Sequence, residues 1–227
     1  MDITAIDLKL ILKIGSGIFW LLVYVIIIVK GFKDKTYGMP MPAICANISW
    51  EAIFSFIYPH DGAQLIINIL WFLFDLLILY QLVKYGKKAN NNHPFYLFIV
   101  IGVLILSFFA VYSTIIEFHD FDGKYSAFPQ NLMMSILFIF MLIKRNNLSG
   151  QSIYIAIFKM LGTLFPSLLF VIYYPSILII YLSITIFIFD WIYIVMLYKK
   201  YKLFKFSFTA EGWHGKTTKI KANNTVK

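Results

Sequence analysis

Hydrophobic residues along this chain fall into seven runs separated by short polar segments. Each run is about twenty residues long, the length an α-helix needs to cross a bilayer, and is too continuous for the alternating pattern of an outer-membrane barrel. The pattern therefore predicts an all-α membrane protein, a bundle of seven transmembrane helices. The predicted spans lie near residues 14–30, 42–58, 64–84, 95–113, 128–143, 152–172 and 177–198.

The polar segments between the runs are too short to hold a separate core, so we expect residues 1–198 to form one transmembrane domain. Lys30-Gly31-Phe32-Lys33 follows the first run in place of a small-residue cleavage site, which indicates a retained helix rather than a signal peptide. Residues 199–227 are polar and basic, and we expect them to form a cytoplasmic tail.

The distribution of basic residues predicts the orientation. Most of the 20 Lys and Arg residues follow the first, third and fifth runs or lie in the tail. The positive-inside rule then places the N-terminus outside and the C-terminus in the cytoplasm, which requires an odd number of spans. The net charge of +9 is explained by this topology and by contact with membrane lipids, so no nucleic-acid partner is expected. A composition rich in Ile, Lys and Asn suggests a bacterial inner-membrane protein.

Three carboxylates interrupt the apolar runs: Glu51 on span 2, Asp75 on span 3 and Asp190 on span 7. Each lies roughly 13 Å from the predicted cytoplasmic end of its span. Ionisable residues inside a membrane are rare and usually serve a site or a partner. We predict a functional role for Glu51 and Asp190, while Asp75 could equally make a structural hydrogen bond. Lys159 on span 6 either pairs with one of these acids or extends towards the surface.

Aromatic and amide side chains share a helical face with each acid, because residues three, four and seven positions apart lie on one side of a helix. We predict that these neighbours, together with Asp75, bind a substrate. They are Asn47, Trp50 and Phe54 near Glu51, Asn68 and Trp71 near Asp75, and Phe187 and Tyr193 near Asp190.

An acid surrounded by aromatic rings suits one kind of chemistry. A carboxyl group desolvated in an apolar pocket can stay protonated near neutral pH and act as a general acid. It can then protonate an alkene or an epoxide, and aromatic faces stabilise the resulting carbocation without quenching it. The pattern predicts a cyclase for a lipophilic prenyl chain.

Three segments also resemble motifs of the integral-membrane terpene cyclases of fungal meroterpenoid and indole-diterpene biosynthesis, the pyripyropene type, and their bacterial relatives. They are Tyr37-Gly38-Met39-Pro40, Asn47-Ile48-Ser49-Trp50-Glu51, and Asp190-Trp191 with Tyr193. The resemblance implies that Glu51 and Asp190 are the essential catalytic groups. It also implies a linear farnesyl-type substrate carrying an epoxide or an alkene, and no metal or cofactor.

The sequence has no DDxxD motif, and we interpret Asp120-Phe121-Asp122 as solvated charge in a loop. The alternative to a cyclase is a small proton-coupled transporter with seven helices. Pro129-Gln130 resembles the Pro-Gln pair of PQ-loop transporters, but span 1 carries Gly15-Ser16-Gly17 where a second pair is expected. The single cysteine, Cys45, excludes an internal disulfide and is interpreted as a packing residue; the oligomeric state stays open.

Overall fold

The computed structural model of the chain describes the backbone of residues 3–223 and the side chains of residues 8–203. In this part of the chain every regular element is helical, as the sequence predicts. The helices are α1 (Ile3–Lys33), α2 (Met41–Ala52), α3 (Ala63–Ala89), α4 (Tyr96–Glu117), α5 (Lys124–Arg145), α6 (Ile153–Tyr173) and α7 (Ile177–Asn223).

Six long helices form a closed ring in the order α1, α3, α4, α5, α7, α6, with each helix packed on the next. Within the described residues these six are long and apolar enough to cross a membrane. The outer surface of the ring is strongly apolar, with Phe98 75% and Leu106 71% exposed. Such side chains suit lipid rather than water, so the protein is an integral membrane protein.

The remaining helix, α2, lies inside the ring and packs against α3, α4 and α5. Residues 43–51 are all buried, and Cys45 is a buried packing residue as predicted. With the turn that follows, α2 extends over Met41–Ile57, which is shorter than the other helices. The described residues therefore confirm seven helices, of which the second is an enclosed helix of about 25 Å.

The ends of α2 follow from its sequence. The helix begins after Pro40 with Pro42 in the first turn, where a missing N–H costs no hydrogen bond. It continues as a π-helical turn over Ile53–Ile57 and ends at Tyr58. Single π turns inside helices are frequent at functional sites, and this one begins two residues after Glu51.

Small residues bring α1 and α6 into close contact. A Cβ atom added at Gly162 would lie 2.9 Å from Cδ1 of Trp20, and Ser16 Oγ donates to the Gly162 carbonyl at 3.0 Å. Small residues let membrane helices approach closely. The contact holds Trp20 between the two helices.

The last helix continues beyond the predicted span, which ends near residue 198, since α7 reaches Asn223. The backbone of residues 199–223 is therefore helical. The surface role and cytoplasmic location of the tail stay predictions, as does the orientation of the termini.

Candidate functional site

A cavity of about 640 Å³ lies between α2 and the helices α1, α3, α5 and α6. Lys9, Lys13, Asp61 and Asp122 are among its lining residues, so it opens at the end of the bundle where α1 and α3 begin. Its volume is typical of small-molecule sites. Its aromatic walls are formed by Trp20, Tyr24, Trp50, Trp71, Phe128 and Phe170.

Glu51 contributes the buried carboxylate of this cavity. The residue is only 3% exposed, and its Oε2 atom has no hydrogen-bond partner among the described residues. The other carboxylates that line the cavity, Asp61 and Asp122, are exposed near its opening. The prediction that Glu51 belongs to a site is therefore supported by its position in the cavity.

Asn47 connects the cavity with the second buried acid. Its Nδ2 donates to Asp75 Oδ2 at 2.8 Å and to the Tyr24 hydroxyl, and its Oδ1 accepts from Gln130 Nε2 at 2.8 Å. Asp75 is fully buried behind Asn47 and is not among the residues that line the cavity. Asp75 thus makes the structural hydrogen bond that the sequence left open.

Trp50 is held by the first turn of α5 and by the residue that precedes it. Its Nε1 donates to Ser126 Oγ at 3.0 Å, and its ring centroid lies 4.5 Å from that of Phe54, which packs behind it. Gly123 has a φ angle of 74°, and a Cβ atom there would lie 2.5 Å from Trp50 Cζ2. Only glycine fits this backbone and this contact.

Asp120 takes part in the same arrangement, and the interpretation of Asp120-Phe121-Asp122 as solvated charge is wrong for this residue. Asp120 is 2% exposed and accepts from both the backbone N and Oγ of Ser126 at 2.8 Å. Its carboxylate satisfies an otherwise free N–H in the first turn of α5. Asp122 is exposed, as predicted.

Asn68 supports the cavity from outside its lining. Its Nδ2 donates to the Phe54 carbonyl at 3.2 Å and lies 2.9 Å from His60 Nδ1. His60 lines the cavity, and its Nε2 lies 3.2 Å from the Phe121 carbonyl. Because Nδ1 faces a donor and Nε2 faces an acceptor, the ring is fully hydrogen-bonded in its neutral form.

The stability of the folded protein should fall below about pH 6.5, the ordinary pKa of histidine. Burial is the largest effect and lowers the pKa of His60; the Phe121 carbonyl and Asp122 oppose it, while Lys13 adds a smaller lowering and Asp120 a still smaller opposing effect. The unfolded chain then binds more protons in this range, so stability is complete above it and decreases as pH falls. Thermal unfolding of wild type and His60→Gln between pH 7.5 and 5 measures this. An equal pH dependence in both proteins would contradict it.

Asp190 lies elsewhere in the bundle. Its Oδ1 accepts from Lys159 Nζ at 2.8 Å, and both side chains are buried. Lys159 Nζ also donates to Ser135 Oγ at 2.7 Å. Lys159 therefore pairs with an acid, which was one of its two predicted roles.

The predicted partners of Asp190 do not line the cavity of Glu51. Asp190 and Phe187 line a separate groove of about 270 Å³ between α6 and α7, and Phe187 is 44% exposed on the outer surface. Tyr193 is buried against Phe138, and its hydroxyl donates to Gln151 Oε1 at 3.0 Å. None of the α7 side chains that the structure describes is among the lining residues of the larger cavity.

Several lining residues were not among the predicted site residues, notably Trp20, Tyr24, His60, Gln130 and Asn131. The sequence signal that could have identified two of them is the pair of adjacent amides, Gln130 and Asn131, at the start of span 5. Only Pro129-Gln130 was interpreted, as a likeness to PQ-loop transporters. No group of three or more His, Cys, Asp or Glu side chains that could hold a metal ion occurs among the described residues. A metal-independent reaction stays a prediction.

Comparison with known proteins covers most of the chain. The family model of Pyr4-like transmembrane terpene cyclases matches residues 3–202. The Pyr4-family terpene cyclase mfmH of Annulohypoxylon moriforme is 32% identical over 167 residues, which are 70% of this chain and 69% of that protein. The terpene cyclase macJ of Penicillium terrestre is 29% identical over 157 residues, 66% of this chain and 61% of that protein. No solved structure matches.

The terpene cyclase pyr4 of Aspergillus fumigatus is 30% identical over 82 residues, 36% of this chain and 34% of that protein. All of these relatives are fungal, so the comparisons give no support to a bacterial inner membrane. They favour the cyclase over the transporter, and the family resemblance seen in the sequence is confirmed. This chain belongs to the family of Pyr4-like transmembrane terpene cyclases.

Proposed function

We propose that this protein is a membrane-bound terpene cyclase in which Glu51 protonates an epoxide or an alkene of a linear, farnesyl-type prenyl substrate. The observation that carries the proposal is the position of Glu51, a buried carboxyl group in an aromatic-walled cavity with one oxygen free of any described partner. Membership of the terpene cyclase family supports the same chemistry.

The proposed reaction begins when the O–H bond of protonated Glu51 breaks and its proton moves to the epoxide oxygen or to an alkene carbon. Positive charge develops on carbon, and the electrons of successive double bonds form the new ring bonds. The final cation loses one proton from a neighbouring carbon to water or to the Glu51 carboxylate, and reprotonation of Glu51 restores the acid for the next turnover. The product is an isomer of the substrate.

The cavity walls suit this sequence of cations. The rings of Trp20, Tyr24 and Trp71 line the cavity, and aromatic faces attract positive charge without forming a bond to it. The charged opening at Lys9 and Lys13 suits the polar end of a lipophilic substrate, with the prenyl chain reaching towards Glu51. The reacting terminus would then lie beside the buried Glu51 side chain, away from the charged opening.

For Asp190 we propose an essential role that acts through Lys159. The ion pair joins α6 to α7, and Lys159 also holds Ser135 of α5. Asp190 is then a positioning residue for α5 and α6, whose side chains form one wall of the cavity. Proton donation is the role of Glu51 alone.

Conversion of a prenyl substrate by the purified protein tests the proposal. Detergent-solubilised protein treated with EDTA should convert a farnesylated aromatic compound, or its terminal epoxide, into a cyclised isomer of unchanged mass, detected by chromatography with mass spectrometry. Accumulation of unchanged compound inside sealed vesicles, with no isomer formed, would instead support the transporter.

A further inference from the structure

Gln130 and Asn131 are adjacent residues of α5, and both line the cavity of Glu51. Their side-chain carbonyl oxygens, Gln130 Oε1 and Asn131 Oδ1, are buried and have no hydrogen-bond donor among the described residues. Buried polar atoms in proteins nearly always have a partner. Two such oxygens in one cavity call for an explanation in terms of what the cavity binds.

The amide of Gln130 is oriented by a chain of hydrogen bonds that starts at Asp75. The Asp75 carboxylate accepts from Asn47 Nδ2, so Asn47 Oδ1 is turned towards Gln130. Oδ1 can only accept, and Gln130 therefore donates to it through Nε2. The side-chain carbonyl oxygen of Gln130, Oε1, therefore has no hydrogen-bond donor among the described residues.

The amide of Asn131 is oriented from the other side. Thr163 Oγ1 donates its hydrogen to the Lys159 carbonyl at 3.1 Å, so it accepts from Asn131 Nδ2 at 2.7 Å. Ser135 Oγ accepts from Lys159 Nζ and donates to the backbone carbonyl of Asn131 at 3.0 Å, a bond within α5 that does not involve the side-chain amide. The bond to Thr163 joins the Asn131 amide to α6, and the side-chain oxygen Oδ1 is again without a donor among the described residues.

We propose that the side-chain carbonyl oxygens of Gln130 and Asn131, Oε1 and Oδ1, are catalytic groups that stabilise the carbocations formed in the cavity. The negative end of an amide dipole, oriented in advance in a water-poor site, stabilises developing positive charge at no reorganisation cost. Asp75 and Thr163 are positioning residues that hold the two amides in this orientation. The inference rests on the proposed function and adds these amide acceptors to the aromatic faces.

The arrangement also accounts for the buried charges. Of Glu51, Asp75, Lys159 and Asp190, only Glu51 lines the cavity. Asp75 reaches the cavity through Asn47 and Gln130, whereas the Lys159–Asp190 pair acts on the α5 wall through Ser135. Asp75 thus determines which atom of the Gln130 amide faces the cavity, whereas the Lys159–Asp190 pair connects α6 and α7 to Ser135 of α5.

Gln130→Met and Asn131→Leu test the proposal, because each removes a carbonyl while keeping a similar side-chain size. We expect kcat to fall about tenfold or more, with KM nearly unchanged. Early cations should be lost as incompletely cyclised isomers or as water adducts, so the fraction of fully cyclised product falls. Product ratios from mass spectrometry give the readout, and melting temperatures establish that both variants fold.

Thr163 provides the positioning test, since it lies outside the lining of this cavity. Thr163→Val frees the Asn131 amide and should shift the products in the same direction, whereas Thr163→Ser keeps the hydroxyl and should restore the wild-type ratio. Thr185→Val is the matched control, because Thr185 makes the same bond to its own helix at Tyr181. We expect wild-type products from it.

The outcomes separate the two proposals. Wild-type protein that converts no prenyl substrate overturns the proposed function and this inference with it. An active wild type whose Gln130→Met and Asn131→Leu variants fold and give unchanged product ratios overturns this inference alone. Equal shifts of the product ratio in Thr163→Ser and Thr163→Val would show that the Thr163 hydroxyl does not position Asn131.

Discussion

Glu51→Gln should abolish cyclisation, lowering the rate of product formation at least about 100-fold, which is the usual contribution of a general acid. Glutamine has nearly the same shape and keeps the polar contacts of an uncharged carboxyl group, but it has no proton to give to an epoxide or an alkene. The side chain lies in the cavity rather than in an ion pair, so the variant should fold normally. Conversion of the farnesylated substrate by equal amounts of folded protein measures the effect.

Glu117→Gln is the matched control for this substitution. Glu117 is the last residue of α4 and is exposed, so the same chemical change takes place away from the cavity. Its activity should equal that of wild type. Cyclisation at the wild-type rate by Glu51→Gln would show that another group supplies the proton.

Lys159→Met should lower the free energy of unfolding by about 3–5 kcal/mol, the usual cost of removing one partner of a buried ion pair. The variant leaves Asp190 as a buried carboxylate without its cation. Asp190→Asn should have a similar effect by leaving the ammonium group of Lys159 unpaired. Chemical unfolding in detergent micelles, followed by circular dichroism, measures both variants. The double variant should be less destabilised than the sum of the two single ones.

Lys30→Met is the control for the ion pair. Lys30 Nζ lies 2.7 Å from Asp34 Oδ2, but both side chains are partly exposed. Such a pair contributes only about 0–1 kcal/mol, so this variant should be close to wild type. Equal stability changes in Lys30→Met and Lys159→Met would contradict a stabilising role of the buried pair.

The stability result bears on how Asp190 is interpreted. The family resemblance implies that Asp190 is essential, and loss of activity in Asp190→Asn would fit either a catalytic or a positioning role. Unfolding measurements separate the two, because a group that touches only substrate has little effect on stability. A fully stable but inactive Asp190→Asn protein would favour direct action on the substrate.

Local pattern predicted the helices and the immediate surroundings of Glu51. A membrane helix satisfies its own backbone hydrogen bonds, so an apolar run is enough to identify it. Spacing along one helix is equally local, and Asn47 and Trp50 do line the cavity with Glu51. Local pattern did not predict the burial of Asp120 in the loop before α5. That burial depends on the hydrogen bonds that the Asp120 carboxylate accepts from Ser126, in the first turn of α5.

Depth in the membrane proved insufficient to predict which acids share a site. The sequence places Glu51, Asp75 and Asp190 at one level, but position around the bundle depends on which helices pack together. Because α2 is enclosed by the ring and α7 packs on α5 and α6, Asp190 forms an ion pair with Lys159 and does not line the cavity. Helix identity and residue depth follow from hydropathy and rise per residue. Cavity membership follows from contacts between helices distant in sequence, which no local pattern encodes.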